Sequence, residues 1–280
     1  MNFNKIILLL KLTRPVNFII TAVSVLVGVI ICAEVPPSFL IILFAMLSAA
    51  FSSAGGNVIN DIVDIEIDKI SHPERALASN LISDRTAYVF YVLLIAASIV
   101  LASMINLNSF ILVSTANTLL LLYSFYLKKI PLVGNLVVSI LTGLTFIYGG
   151  VVAGNISFAF VPAGFALLMN FIREIIKDMQ DAEGDSRNQV ITYPVKNGFD
   201  SAKKIVLVSS IILIVFTFFP FIFNFYKIEY FVLVMMIVNP MLVYNVKSLY
   251  DNHSNKNLKR LSGLLKLAMV FGLAAIYFGK

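Results

Sequence analysis

The sequence predicts an all-α fold, a polytopic membrane bundle of nine transmembrane helices, on three observations. Of the 280 residues 59% are hydrophobic and only 13% charged, with a mean hydropathy of +0.93. The apolar residues fall into nine continuous runs, each near the roughly 20 residues that cross a hydrocarbon core. When those runs are threaded alternately through a bilayer, nearly all Lys and Arg residues fall on one side.

A soluble domain of this length cannot hide so much apolar surface, so the solvent is lipid. In lipid every backbone polar group needs an internal partner, which leaves helices or a closed barrel. The runs are continuous rather than alternating, and this excludes the barrel. They lie near 16–33, 39–60, 86–105, 110–127, 133–154, 158–176, 202–223, 228–246 and 261–278. The chain is expected to form one domain over residues 1–280. Lys5, Lys11 and Arg14 precede the first run, but no small-x-small cleavage pattern follows near Ile31 to Val35, so this run is expected to be a permanent span. The single cysteine, Cys32, permits no internal disulfide and is expected to be a small packing residue.

Nine spans put the termini on opposite sides. With the N-terminus inside, segments 61–85, 128–132, 177–201 and 247–260 are cytoplasmic, and that side with its span ends holds 19 of the 21 Lys and Arg residues. Only Lys227 and Lys280 fall outside. The net charge of +6 is therefore read as topology and contact with anionic lipid headgroups, not as nucleic-acid binding. The external connections are short, whereas 61–85 and 177–201 are long and hold most of the 15 acidic residues. Long connections in a compact protein usually carry function.

Those two segments contain a repeated pattern. Asp61, Asp64 and Asp68 are spaced +3 and +7, and Asp178, Asp181 and Asp185 repeat the spacing 117 residues later. On a helix these positions share one face, so each triplet is a column of carboxylates, extended in the first copy by Asn57 and Asn60. An ordinary solvated helix end explains one such triplet. It does not explain two identical copies, each at the cytoplasmic end of an apolar helix. Like charges in a column need a cation, and oxygen ligands without nearby His or Cys suit a hard divalent ion, Mg²⁺ by default where phosphate is present. Arg75, Lys128, Lys177 and Arg173 are placed to hold phosphate charge. A diphosphate head with an apolar tail in the bundle is a prenyl diphosphate. The expected partners are this donor and membrane lipids, with no obligatory protein partner evident.

The residues also carry a resemblance along essentially the whole chain. Leu12 to Asn17 (LTRPVN), Asn60 to Arg75 (NDIVDIEIDKISHPER), Tyr123 to Lys129 with Gly134-Asn135, Lys177 to Asp185 (KDMQDAEGD), and Thr192 with Pro194 resemble the motifs of the UbiA family of intramembrane prenyltransferases. The resemblance implies nine helices around a central cavity open sideways to lipid. It implies that Asn60, Asp64, Asp68, Asp178, Asp181 and Asp185 hold Mg²⁺, with Asp61 beside them as a further candidate. It implies that Arg75, Lys128 and Lys177 bind diphosphate and that Asn17 lines the pocket. Arg75-Ala76-Leu77-Ala78-Ser79-Asn80 departs from the family's usual Arg-Pro-Leu-x-x-Gly, and Tyr193 replaces a Leu.

Within the family, REIIKDMQDAEGD is most similar to archaeal enzymes that add a second geranylgeranyl chain to geranylgeranylglyceryl phosphate. The expected reaction is Mg²⁺-dependent geranylgeranyl transfer to a glycerol hydroxyl, with Asp64, Asp68, Asp181 and Asp185 as the catalytic carboxylates. This resemblance adds a lipid-like phosphate acceptor to the expected partners. Two anionic heads would then need the cation surplus of Lys69, Arg75, Lys128, Lys129, Arg173, Lys177 and Arg187. A family member acting on an aromatic quinone precursor is the nearest alternative. A CDP-alcohol phosphotransferase is disfavoured because Ile65, not Gly, follows Asp64. A transporter would need ionisable groups near mid-membrane. Glu66 and Glu174 are unassigned candidate bases. His72 is expected to serve the turn before Pro73 and His253 to be solvated. Gly55 and Gly56 should mark a close helix packing or a kink.

A topology prediction follows from the charge asymmetry. A reporter fused after Lys280 should report an external C-terminus, and a cytoplasmic signal would mean that a span was missed or invented.

Overall fold

The computed structural model describes residues 3–187 and 190–280. Among them there are helices and no strands, in the order α1 (Phe3–Leu12), α2 (Pro15–Cys32), α3 (Phe39–Val63), α4 (Ile65–Ser71), α5 (Asp84–Ser103), α6 (Leu107–Phe125), α7 (Val133–Ala153), α8 (Phe160–Arg187), α9 (Tyr193–Asn197), α10 (Phe199–Ile222), α11 (Ile228–Leu233), α12 (Asn239–Asp251) and α13 (Asn255–Gly279). Nine of the described segments are long and apolar enough to cross a membrane, α11 and α12 counting as one, and each coincides with one of the nine runs.

Two details differ from the sequence reading. The basic N-terminus folds into a separate helix, α1. The acidic connections are partly helix: α3 and α4 carry the first as far as Ser71, leaving residues 72–83 outside any helix, and α8 runs to Arg187 in the second. Both differences have one cause. Hydropathy marks where lipid ends, whereas a helix stops only where its backbone bonds stop.

The chain forms two compact units, Met1–Lys128 with Thr145–Ile156, and Lys129–Leu144 with Ser157–Lys280. In the first, α3 packs against α2, α5 and α6. One apolar cluster joins Val25, Val29, Ala45, Ala49, Tyr148 and Val152. A second, at the end bearing the acidic motif, joins Leu9 and Leu12 to Val58, Ile59, Ile62, Leu77 and Ile82. Buried hydroxyls pair rather than face lipid: Ser48 with the Tyr148 hydroxyl at 2.8 Å, and Ser52 with Ser98 at 2.6 Å. Gly55 and Gly56 mark close packing within a continuous α3. A methyl group on them would lie 2.6 Å from Ile95 Cδ1 and 2.8 Å from a Leu120 methyl. Cys32 is buried, as a small packing residue should be.

In the second unit α8 packs against α10, α13 and α9. It is the most enclosed of the spans, with 61% of its apolar window buried against 22% for α5 and for α6, which makes it the element best able to hold a fixed functional face. The Tyr230 hydroxyl donates to the Thr217 carbonyl (2.9 Å) and Asn239 Nδ2 to the Thr217 hydroxyl (3.1 Å). Between α11 and α12 one π-helical turn, Val234–Val238, precedes Pro240, whose missing N–H interrupts the regular ladder. The His253 ring is not merely solvated but packs on Phe199, centroids 5.5 Å apart.

Two glycines in helices should respond oppositely to a methyl group. At Gly149 it would lie 2.7 Å from the Gly28 backbone, which cannot swing aside, whereas around Gly263 nothing lies within 4 Å. Gly149→Ala should cost about 1–3 kcal/mol of stability and lower the Tm in detergent, while Gly263→Ala should hold or raise it.

Candidate active site

The first carboxylate column spans a break between two helices. At Asp64 the backbone leaves ideal helix geometry (φ −95°, ψ 6°), closing α3 and opening α4. The bonds Asp64 N–H to Asn60 C=O (3.0 Å) and Asp68 N–H to Asp64 C=O (2.8 Å) persist across the break, so the +3 and +7 positions stay on one face.

Each carboxylate in this column has a cation from the chain. Asp61, 5% exposed, accepts from Arg14 Nη2 at 2.8 Å and lies 3.7 Å from Arg75 Nη1. Asp68, 4% exposed, accepts from Arg75 Nη1 on both oxygens, at 2.8 and 2.7 Å. Lys128 Nζ donates to Asp64 at 2.6 Å and to the Asn60 side-chain oxygen at 3.1 Å. Burial raises the Asp68 carboxyl above the usual carboxylate range, the Arg75 contact opposes the rise, and Asp61 and Asp64 add to it. For Arg75 burial pulls the other way, but Asp68 and its acidic neighbours hold the guanidinium above its ordinary value.

The second column lies wholly on α8. Asp178 accepts from Asn135 Nδ2 at 2.8 Å, Asp181 is exposed, and Asp185 is half-buried. One turn earlier Arg173 pairs with Glu174, and the Arg173 Nε is buried with no hydrogen-bond partner. Lys177 is exposed. The Arg187 side chain lies outside the described residues. Pro194 is buried at the start of α9.

The structure thus brings Asn60, Asp61, Asp64, Asp68, Arg75 and Lys128 together, and separately places Arg173, Lys177, Asp178, Asp181 and Asp185 along one helix. Asn17 stands apart from these contacts, exposed in the first turn of α2. Glu66 pairs with Lys69 (2.6 Å) and Glu174 with Arg173, so both candidate bases are engaged. His72 caps α4, its carbonyl accepting from the Arg75 N–H (2.9 Å), which is the turn role expected of it.

Two residues escaped the sequence reading. By sequence alone Arg14 is a topological charge within the LTRPVN motif, with no site role. Asn135 was noted in Gly134-Asn135 without a role. Among the described residues no three Asp, Glu, His or Cys side chains converge closely enough to chelate one ion. The donor chemistry fits Mg²⁺ all the same, because the columns offer carboxylate and amide oxygens and no thiol or imidazole.

An all-helical membrane fold carrying two such carboxylate columns, each accompanied by cations, defines an intramembrane prenyltransferase. The chain belongs to the UbiA prenyltransferase family, which it matches over residues 21–270, a stretch that takes in parts of both units. Among curated relatives, the digeranylgeranylglyceryl phosphate synthase of Methanosphaera stadtmanae is 31% identical over 96% of this chain and 98% of its own. That of Thermococcus kodakarensis is 33% identical over 95% of each chain. A solved structure of a digeranylgeranylglyceryl phosphate synthase in membranes, 30% identical, superposes with a TM-score of 0.84 over 99% of both chains. The UbiA homologue from Archaeoglobus fulgidus, determined with GPP and Mg²⁺, has the same fold (TM-score 0.69) at 21% identity over 96% of this chain and 99% of its own.

The ion pairs of the first column should differ sharply in worth. Arg75→Ala strands a buried Asp68 charge and should cost about 1–3 kcal/mol or more. Lys69→Ala removes an exposed partner of Glu66 and should cost less than about 1 kcal/mol. Thermal unfolding of the two variants in detergent measures the difference.

Proposed function

We propose that the chain transfers a geranylgeranyl group from geranylgeranyl diphosphate to the free hydroxyl of geranylgeranylglyceryl phosphate, on the cytoplasmic side of the membrane, in archaeal ether-lipid synthesis. The observation that carries this reading is identity of 31–34% over nearly the whole chain to archaeal synthases of that name. The two oxygen-donor columns support the donor half of the reaction independently.

In this reading Asn60, Asp64 and Asp68, and separately Asp178, Asp181 and Asp185, would hold Mg²⁺, which when bound would supply positive charge against the diphosphate leaving group. Asn135 orients Asp178 by its 2.8 Å bond. Lys128 and Arg75, already beside the first column, bind diphosphate oxygens, and Arg173 and Lys177 supply cationic charge along α8. The C1–O bond of the donor breaks with its electron pair on diphosphate. The acceptor hydroxyl oxygen forms the new ether bond to C1, and its proton leaves to the released diphosphate or to solvent. No protein nucleophile is required. Asn17, exposed at the start of α2, is assigned to the substrate pocket by family resemblance alone.

The acceptor decides between this reading and the aromatic alternative. Purified protein with labelled geranylgeranyl diphosphate should form an O-prenyl product on the glycerol phosphate ether, and removing the acceptor's phosphate should lower its apparent affinity. Prenylation of aromatic acceptors alone, or indifference to the phosphate, would overturn the lipid-synthesis reading. Asp64→Ala and Asp181→Ala should each abolish turnover while leaving the fold intact. Full activity of either at limiting Mg²⁺ would remove the metal role of its column.

A further inference from the structure

We infer that Arg14 is a positioning residue for the first carboxylate column, and that Asp61 is its anchor rather than a metal ligand. Only the activity part of the test rests on the prenyl-transfer reading.

The hinge between α1 and α2 supplies the first argument. Arg14 sits at φ 51°, ψ 76°, a left-handed conformation that a non-glycine residue adopts only at a cost of about 1–2 kcal/mol. Pro15 follows and disfavours an ordinary helical conformation at Arg14. The conformation is stabilised by what the hinge grips. The Arg14 guanidinium reaches Asp61 at 2.8 Å, and the neighbouring Thr13 carbonyl accepts from Asn57 Nδ2 at 3.2 Å. Asn57 and Asp61 are one turn apart on α3, so the hinge holds one face of that helix at two successive levels. α1 adds an apolar seat: Leu9 and Leu12 are buried in the cluster containing Val58, Ile59 and Ile62, while Ile6, Ile7 and Leu10 point outward.

The second argument is competition for Arg75. The Asp61 side chain is only 7% exposed and its Oδ1 has two guanidinium groups near it, Arg14 at 2.8 Å and Arg75 at 3.7 Å. A hard cation approaching Asp61 would meet two guanidinium groups, whereas Asn60 and Asp64 share a single Lys128 ammonium and Asp68 faces one guanidinium, that of Arg75. Arg75 is also the guanidinium that holds Asp68. By satisfying Asp61, Arg14 leaves Arg75 on Asp68. Without Arg14, a buried Asp61 charge would draw Arg75 toward itself and away from the position from which it meets diphosphate.

That competition makes a distinctive prediction for the full chain in detergent. Arg14→Gln should raise the KM for geranylgeranyl diphosphate about tenfold, the worth of one charge-assisted contact, with little change in kcat or in Mn²⁺ affinity measured by electron paramagnetic resonance. Removing the competing charge as well, in Arg14→Gln/Asp61→Asn, should restore most of the donor affinity, which no general loss of structure would do. The inference is overturned if the double variant is as impaired as Arg14→Gln, or if Asp61→Asn alone weakens Mn²⁺ binding about tenfold or more. If the unsubstituted protein turns over no prenyl diphosphate, the transfer reading fails by itself. The anchor role is then judged on Mn²⁺ alone, upheld if Asp61→Asn keeps the wild-type affinity and overturned if it does not.

Discussion

Carboxylates placed at the edge of a hydrocarbon layer must be neutralised, and the rest of this structure is arranged around that requirement. Asp61 and Asp68 are almost wholly buried, and an uncompensated charge there would cost several kcal/mol. The chain answers with Arg14, Arg75 and Lys128, brought from the α1–α2 hinge, the segment after α4 and the end of α6. Three separate stretches of sequence converge on the two turns that flank the α3–α4 break, each carrying a cation that the column needs. α8 handles the same problem differently, leaving Asp181 toward solvent and giving Asp178 an amide partner in Asn135.

The same chemistry that neutralises the column suits it to its proposed work. A diphosphate and a carboxylate compete for the same cations, and a divalent ion can serve both. In the proposed reaction Lys128 and Arg75, now paired with Asp64 and Asp68, would exchange a carboxylate oxygen for a phosphate oxygen. The apolar clusters beneath the motif, from Leu9 to Ile82, fix the helix end on which this exchange would occur. The tight approach of α2 to α7 at Gly28 and Gly149 serves rigidity rather than chemistry.

Much of this was legible in the sequence, for physical reasons that also explain what was not. The nine spans could be read because lipid imposes one length and one polarity on every segment that crosses it. The two columns could be read because a +3, +7 spacing has meaning on a helix wherever the helix lies. The α1 helix was hidden because its run is too short and too charged for a span. Arg14 was hidden because an arginine flanking a span already has a topological explanation, and only its left-handed backbone and its contact with Asp61 reveal another. Asn135 was hidden because an amide has no spacing rule, and its partner lies 43 residues away. The acceptor was readable only through likeness to relatives, since a lipid phosphate and a quinone precursor leave no distinct mark on connecting-segment cations that a positive-inside pattern already explains.

The central claim is that the cations now paired with the first column are the ones that receive diphosphate. The most direct test is a structure of the protein with Mg²⁺ and a non-hydrolysable geranylgeranyl diphosphate analogue. The account predicts Mg²⁺ on the Asp64 and Asp68 carboxylates and Lys128 Nζ within hydrogen-bond distance of a diphosphate oxygen. It would be contradicted if the analogue bound elsewhere while Lys128 kept its 2.6 Å contact with an Asp64 that carried no metal.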